Sequence, residues 1–304
     1  AFIQYLQKFF EPVRDLAEKF NIIQTAMASS ERIFELLDTP EQIPSMVPSQ
    51  KGFKIKGNVE FKNVWLSYNE NQFVLKDISF SLEKGESLAI VGATGSGKST
   101  IINALCRFYE INKGDILFDG QSIKDINKFD LRKQIALVQQ DVFLFSGKVI
   151  DNIRLGNVQM RQEEIQSIST AVNSHNFINN FPLKYEQELI EGGGSISSGQ
   201  RQLLSFARAL AVKPQILVLD EATSSVDMDT ERQIKNGIKE MTRGRTSIII
   251  AHRLSTLMHV DKVLVLKNGK IIEFGKRNEL LQQRGIFYKL CQAQIKSEQF
   301  SAEQ

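Results

Sequence analysis

The sequence predicts an α/β fold, with helices connecting the strands of a mainly parallel sheet and one long helix preceding them. Short, continuous apolar runs indicate strands that are buried on both faces, as in a parallel sheet. These runs are Ser87–Val91, Ile135–Val138, Ile216–Leu219, Ser247–Ile250 and Lys262–Leu266. Two further segments, Val59–Val64 and Ile78–Leu82, alternate apolar with polar residues and predict half-buried strands.

The remaining elements follow in chain order. Residues 1–38 carry apolar side chains at spacings near three and four, which predicts one long helix. No capping box begins this helix, so we expect it to be truncated on its N-terminal side. Residues 39–56 contain three prolines and are interpreted as a linker. Residues 57–304 form the main domain, in which about 145–212 has a helical pattern with helices at Glu163–Val172 and Ser198–Leu210.

The composition is that of an ordinary globular chain. The 304 residues are 42% hydrophobic and 24% charged, so they can bury a full core. The formal net charge of +3 gives no support for a nucleic-acid partner, and we predict none. Cys106 and Cys291 lie far apart and match no metal-ligand spacing, which indicates two reduced thiols.

The most specific motif is a glycine-rich run between an apolar strand and a helix, and it fits the pattern G-x4-G-K-[S/T] completely. Its glycines allow consecutive backbone N–H groups to point at one anion, and the helix start adds a positive dipole end. We expect Lys98 to reach the β- and γ-phosphates of a nucleotide and Ser99 to offer its hydroxyl to Mg²⁺. The predicted phosphate-binding residues are Gly92, Ala93, Thr94, Gly95, Ser96, Gly97, Lys98, Ser99 and Thr100. The motif predicts a P-loop but does not separate ATPases, GTPases and kinases.

A pair of carboxylates supplies the second part of a hydrolytic site. Asp220 and Glu221 directly follow the apolar strand Ile216–Leu219. Asp220 is suited to hold Mg²⁺ through water, and Glu221 to polarise an attacking water as general base. The alternative is that both are solvated loop residues.

Further landmarks resemble those of the ABC ATPases. The segment Ile196-Ser-Ser-Gly-Gln-Arg-Gln202 resembles the family's LSGGQ signature, and the segment from Asp220 to Asp227 resembles its Walker B motif and D-loop. Three single residues match others: His252 the switch histidine, Gln140 the Q-loop glutamine, and Tyr68 the aromatic residue that stacks on adenine. The landmarks occur in the family's order, and the resemblance covers essentially the whole chain.

This resemblance implies a fold, a reaction and cofactors. The fold is that of a P-loop NTPase, with a RecA-like core, an antiparallel β subdomain and an α-helical subdomain. The reaction is ATP hydrolysis, with ATP and Mg²⁺ as cofactors. The implied catalytic residues are Lys98, Glu221 and His252, and the implied metal ligands are Ser99, Gln140 and Asp220.

The resemblance also implies that two such domains meet head to tail. Each nucleotide is then held by the P-loop of one domain and by the signature of the other, and Asp227 links the two sites. The signature residues that act on the partner's nucleotide are Ser197, Ser198, Gly199 and Gln200. With one P-loop and one signature, the chain needs a second half-transporter, identical or different, to complete a site.

Residues 1–38 resemble the last transmembrane helix of an ABC exporter and its cytoplasmic extension. The implied function is therefore ATP-driven export across a membrane. The nucleotide-binding domain would lie on the cytoplasmic side of the cell (inner) membrane, joined to the transporter's membrane domains. Nothing in these residues identifies the transported substrate.

Three positions depart from the family pattern. Ile196 and Ser198 stand where the signature usually has Leu and Gly, and Ile190 stands where the exporter X-loop, G-E-x-G, usually begins with Gly. Ser198 keeps a backbone N–H at the helix start, so we expect γ-phosphate binding to survive. The effect of Ile190 on coupling stays open.

Three other interpretations remain. An importer's ATPase subunit would normally start near residue 57 without a preceding helix. A soluble ABC ATPase of translation or DNA repair usually carries two cassettes or long coiled coils. A chain that binds ATP only to gate or scaffold is opposed by the presence of Lys98, Glu221 and His252.

Overall fold

The computed structural model describes residues 2–39, 47–50, 52–69, 72–155, 157, 159–194, 196–220, 228–251 and 257–302. The chain divides into two compact units, Ala1–Pro44 and Ser45–Gln304. In the described residues the strands are β1 (Val59–Ser67), β2 (Phe73–Leu82), β3 (Ser87–Val91), β4 (Lys113–Phe118), β5 (Gln121–Ser122), β6 (Ile135–Val138), β7 (Gly147–Lys148), β8 (Glu188–Leu189), β9 (Ile216–Asp220), β10 (Thr246–Ile250), β11 (Lys262–Lys267) and β12 (Lys270–Lys276). The α-helices are α1 (Phe2–Asp38), α2 (Lys98–Leu105), α3 (Lys128–Gln134), α4 (Val149–Arg154), α5 (Gln162–Ala171), α6 (His175–Asn179), α7 (Ser198–Ala211), α8 (Met228–Thr242), α9 (Arg277–Gln283) and α10 (Ile286–Ala302).

The first unit contains helix α1, whose 37 residues match the single long helix that the periodicity predicts. The helix continues through Pro12, and none of its residues is buried. Large apolar side chains along it are exposed, with Phe2 at 78% and Leu36 at 76%. Among the described residues, no helix has both the length and the apolar character that crossing a membrane requires.

The second unit is built on a six-stranded sheet with the order β12-β11-β3-β10-β9-β6. Every neighbouring pair in it is parallel except β11 and β12, which form an antiparallel hairpin. All five apolar runs that the sequence marks as buried strands lie in this sheet. The carboxyl ends of β3, β6 and β9 therefore meet at one edge, as in other open α/β sheets.

A four-stranded antiparallel sheet with the order β2-β1-β4-β5 covers one face of the parallel sheet. The two alternating segments predicted as half-buried strands are in β1 and β2, which pair with each other. Their apolar side chains, such as Phe61 and Phe80, stack at 4.5 Å between ring centroids and join the core below.

The helical segment predicted at about 145–212 contains α4, α5, α6 and α7, and it also contains a short antiparallel pair, β7 with β8. The predicted helices match α5 and α7 to within one residue at each end. The two-residue strands were not predicted, because alternation cannot be recognised over so short a run.

The core has two parts, one on each face of the parallel sheet. Strand β10 illustrates the division, since Ile248 and Ile250 pack with the antiparallel sheet and α2, whereas Ile249 and Ala251 pack with α7 and α8. Both faces are thus covered, which explains why the strands read as continuous apolar runs. The predicted α/β class is confirmed.

Candidate functional site

The glycine-rich run connects β3 to α2 and forms a tight loop. Gly97 directly precedes the helix in a left-handed conformation with φ of 108°, and no side chain caps the helix. Gly92 lies against a neighbouring strand, so a Cβ atom there would collide with the carbonyl oxygen of Leu266. Only glycine therefore permits this path of the loop at Gly92. The first N–H groups of α2 have no partner within the helix, which leaves them to an external acceptor.

Lys98 is the first residue of α2, and only 7% of it is exposed. Its ammonium donates hydrogen bonds to the carbonyl oxygens of Gly92 (2.9 Å) and Ala93 (3.1 Å), across the loop. Burial lowers the pKa of Lys98, and the nearby carboxylate of Asp220 opposes that shift. The positive charge of Lys98 is thus held at the carbonyl oxygens of the loop, with the carboxylate of Asp220 close by.

A cavity of about 520 Å³ opens in front of this loop. Gln140, which follows β6, and Asp220, at the end of β9, line it together with the loop. The loop residues that line it are Thr94, Gly95, Gly97, Lys98, Ser99 and Thr100. The fold therefore brings the predicted phosphate-binding and metal-binding residues to one cavity, because parallel strands deliver their carboxyl ends to one edge.

Tyr68 follows β1 and lies against α2. Its hydroxyl donates to Thr100 Oγ1 (3.1 Å) and accepts from Asn103 Nδ2 (3.0 Å). Its ring meets that of Tyr109 edge to face, with centroids 4.6 Å apart. Tyr68 is 41% exposed and stands next to the cavity rather than among its lining residues.

The turn between β11 and β12 supports the loop, although the sequence analysis did not include it in the site. Gly269 donates its backbone N–H to the carbonyl oxygen of Ser96 (3.0 Å) and accepts from the N–H of Lys76 (2.8 Å). A Cβ atom on Gly269 would collide with the carbonyl oxygen of Val74. The dipeptide Asn268-Gly269, with φ of 52° and 76°, is a strong hairpin signal. That signal predicts the turn but not its contact with the phosphate-binding loop.

The signature segment begins helix α7. Ser197 caps the helix: its Oγ accepts from the backbone N–H of Gln200 (3.2 Å), and Gln200 Oε1 accepts from the N–H of Ser197 (3.2 Å). Ser198 is the first helical residue, as expected, and Gly199 is buried. None of these four residues lines the P-loop cavity, so one copy of the chain does not bring signature and P-loop together in its described part.

Beside the Gln140 segment, a groove of about 320 Å³ runs between β6 and α7. Phe143 and Phe145, which are 49% and 54% exposed, line it and meet edge to face at 5.2 Å. Arg208 of α7 anchors this segment by donating to the carbonyl oxygen of Phe143 (2.8 Å) and to Asn152 Oδ1 (2.9 Å). Burial lowers the pKa of Arg208. Two exposed aromatic rings thus lie on a segment that Arg208 ties to α7.

The chain is similar in sequence and in structure to known proteins. Residues 75–224, which include the P-loop and the signature, match the family profile described as "ABC transporter". The chain belongs to the ABC transporter family. Its P-loop NTPase fold, with a RecA-like core and two subdomains, is thereby confirmed.

Several curated relatives are named ATP-binding/permease proteins. A "Fatty acid ABC transporter ATP-binding/permease protein" of Mycobacterium bovis is 43% identical over 96% of the chain and 46% of its own length. A "Probable multidrug resistance ABC transporter ATP-binding/permease protein" of Bacillus subtilis is 42% identical over 97% of the chain and 43% of its own length. The chain thus spans about half the length of the curated relatives that it matches.

Among solved structures, a bacterial Atm1-family ABC exporter with ATP bound is 34% identical to the chain, with a TM-score of 0.79. The match covers 95% of the chain and 51% of the exporter.

Three of the predicted site residues lie outside the described residues. They are Glu221, Asp227 and His252, the predicted general base, D-loop aspartate and switch histidine. The described elements lead to them directly, since β9 ends at Asp220 and β10 at Ile250. Their roles stay predictions.

Proposed function

We propose that this chain binds MgATP at the P-loop cavity, hydrolyses it, and thereby powers export across a membrane. One observation carries this proposal: Lys98, Ser99, Gln140 and Asp220 come from three separated parts of the sequence and line a single cavity. A glycine-rich turn without ligand chemistry would not need a buried cation, a hydroxyl and a carboxylate at that cavity.

The phosphates would bind the first N–H groups of α2, which no side chain caps. Lys98 would exchange its hydrogen bonds with the carbonyl oxygens of Gly92 and Ala93 for stronger ones with phosphate oxygens. Tyr68 would offer its ring to adenine beside α2, where its hydroxyl bonds to Thr100 and Asn103 hold it.

The oxygen atoms at the cavity suit Mg²⁺. Ser99, Gln140 and Asp220 offer a hydroxyl, an amide and a carboxylate, which are ligand types that Mg²⁺ accepts. Within the described part of the chain, no cluster of three or more His, Cys, Asp or Glu residues could hold a metal alone. Mg²⁺ held at the cavity would neutralise charge on the transferring phosphate.

Hydrolysis would be carried out by the residues that follow β9 and β10. Glu221 would orient and polarise the attacking water, and His252 would bind the γ-phosphate. A second half-transporter, identical or different, would complete the site by presenting the start of its α7, with Ser197, Ser198, Gly199 and Gln200. Asp227 would connect the two sites. Closure would exclude bulk water, other than the attacking molecule, from the γ-phosphate, and hydrolysis would loosen the pair.

The link to the membrane rests on two surfaces. The groove with Phe143 and Phe145 offers an apolar docking site directly after Gln140, so that a membrane domain would sense the state of the nucleotide site. Helix α1, whose apolar side chains are exposed, would belong to the membrane domain and its cytoplasmic extension. Together with the resemblance to ABC exporters, these surfaces support our proposal that the nucleotide-binding domain lies on the cytoplasmic face of the cell membrane.

The similarity to a solved exporter structure supports export rather than import. Relatives of nearly equal identity carry names with different cargoes, so family membership does not fix the transported substrate.

The substitution Glu221→Gln tests the catalytic part of the proposal. Without the general base, we expect ATP binding to persist and turnover to fall by at least about 100-fold. Glu240→Gln, at an exposed position of α8, makes the same chemical change away from the site and should keep normal turnover. Turnover would be measured as phosphate release, and affinity by equilibrium binding of ATP. Normal turnover of Glu221→Gln would remove Glu221 from this role.

A further inference from the structure

A second cavity, of about 330 Å³, lies between α8 and the strands β3 and β10. Its buried part is apolar, with Ile249 of β10 and Val260 2% and 6% exposed. Its exposed residues include Lys235, Lys239 and His259. The volume lies at the lower end of the range of about 300–1,000 Å³ that is typical of small-molecule sites. The cavity thus has an apolar interior and a cationic mouth.

This cavity is separate from the P-loop cavity. Strand β10 divides them: the residue Ile249 lines the cavity under α8, while the next residue, Ile250, lines the P-loop cavity. Among the described residues, none lines both cavities. A molecule bound under α8 would therefore occupy neither the phosphate nor the metal site.

The charge at the mouth is incompletely neutralised. Lys235 forms an ion pair with Glu231, one helical turn away, at 2.9 Å. Lys239 has no carboxylate within 4.0 Å in the part of the chain that the structure describes, and no carboxylate lines the cavity there. An ammonium group beside an apolar cavity favours an anion that carries an apolar body.

We propose that the cavity between α8 and β10 binds a small carboxylate with a compact apolar body. The apolar body packs on Ile238, Ile249 and Val260, and the carboxylate faces Lys239. If each ligand group fills about the space of one water molecule, ~30 Å³, the cavity accepts roughly ten heavy atoms. This proposal is independent of ATP hydrolysis.

Phenylacetate is a suitable probe, because it has about ten heavy atoms, a compact apolar ring and one carboxylate. We expect it to bind the intact chain at one saturable site with a Kd of about 1 mM or tighter, measured by calorimetry. The uncharged 2-phenylethanol should bind at least about 10-fold more weakly, and 2-phenylethylammonium should not compete. Saturating MgATP should leave phenylacetate binding unchanged.

Two variants locate the site. Lys239→Glu reverses the charge at the mouth and should weaken phenylacetate binding at least about 10-fold. Asn236→Trp, at an exposed lining position, should block the cavity and also prevent binding. Lys124→Glu makes the same charge change on a distant exposed position and should bind as the parent does. Unchanged melting temperatures would establish that all three variants fold.

Several outcomes would overturn the proposal. They are no binding up to about 10 mM, equal binding of the acid and the alcohol, equal losses in Lys239→Glu and Lys124→Glu, and displacement by MgATP.

Discussion

Helices α2 and α7 both begin with a segment expected to face a phosphate, yet their N-termini are capped differently. Helix α2 follows Gly97 and has no side-chain cap, whereas α7 is closed by a reciprocal capping box between Ser197 and Gln200. The start of α2 therefore needs an external acceptor for its N–H groups. The start of α7 is satisfied in part by its own side chains, so it is stable before any nucleotide reaches it.

The difference agrees with the order of events that we propose. In that order, the P-loop would bind ATP in a single copy first, because its cavity already gathers Lys98, Gln140 and Asp220. The signature would act second, when a second half-transporter, identical or different, approaches, and its remaining N–H groups at Ser198 and Gly199 would then contact the γ-phosphate. The predictions below test this division between the two helix starts.

The largest expected effect follows removal of the charge at the start of α2. Lys98→Ala should weaken ATP binding about 100-fold, since hydrogen bonds to charged groups contribute about 1.5–3 kcal/mol each. Equilibrium binding of ATP to the isolated chain measures this. Lys124→Ala removes a lysine of equal charge at an exposed position and should change the affinity little. Unchanged affinity in Lys98→Ala would contradict the assignment of the P-loop.

The next largest effect is expected at the turn between β11 and β12, which supports the P-loop. Gly269→Ala should destabilise the chain by about 2–4 kcal/mol, because it adds a collision with Val74 to the cost of a left-handed conformation. Gly244 has a similar φ of 69° but open space around it, so Gly244→Ala should cost only about 1–2 kcal/mol. Urea unfolding compares the two. Equal losses would mean that contact with Val74 is unimportant.

The capping box of α7 should matter for stability and not for the first binding step. Ser197→Ala removes one capping hydrogen bond and should cost about 1 kcal/mol of unfolding free energy. ATP affinity of the single copy should stay unchanged, since Ser197 does not line the P-loop cavity. A loss of ATP affinity comparable with that of Lys98→Ala would break the distinction between the two helix starts.

The smallest effect is a dependence of stability on pH. Burial lowers the pKa of Lys98 in the folded chain below its ordinary value of 10.5, so the unfolded chain binds more protons between those two pKa values. The contribution of Lys98 to stability therefore increases as the pH rises through that window. Urea midpoints of the nucleotide-free protein should contain this component in the parent and lack it in Lys98→Met. An identical pH profile in both would contradict it.

Much of the fold was predictable because its signals are local. Continuous apolar runs identified the five parallel strands, and the spacing of apolar residues identified α1 and α7. Ser198 was correctly expected at a helix start, and the structure adds that a capping box of Ser197 and Gln200 closes this start.

Other features depend on contacts that no local pattern encodes. The bond between Gly269 and Ser96 joins residues far apart in sequence, and the return of Lys98 to the loop carbonyls depends on the folded loop. The cavity under α8 arises only when α8 packs on β3 and β10. Glu221, Asp227 and His252 lie outside the described residues, so their roles still rest on the sequence.

The most direct test of the central claim separates the two helix starts in one variant. Ser198→Glu puts a carboxylate at the exposed first residue of α7, where a negative charge suits the helix dipole but repels a γ-phosphate. In a Glu221→Gln background, sedimentation would measure association driven by ATP. We expect the ATP affinity of the single copy to stay within about 3-fold of the parent. ATP-driven pairing should be lost, and each 10-fold loss in pairing affinity corresponds to ~1.4 kcal/mol. Pairing as strong as in the parent would contradict it.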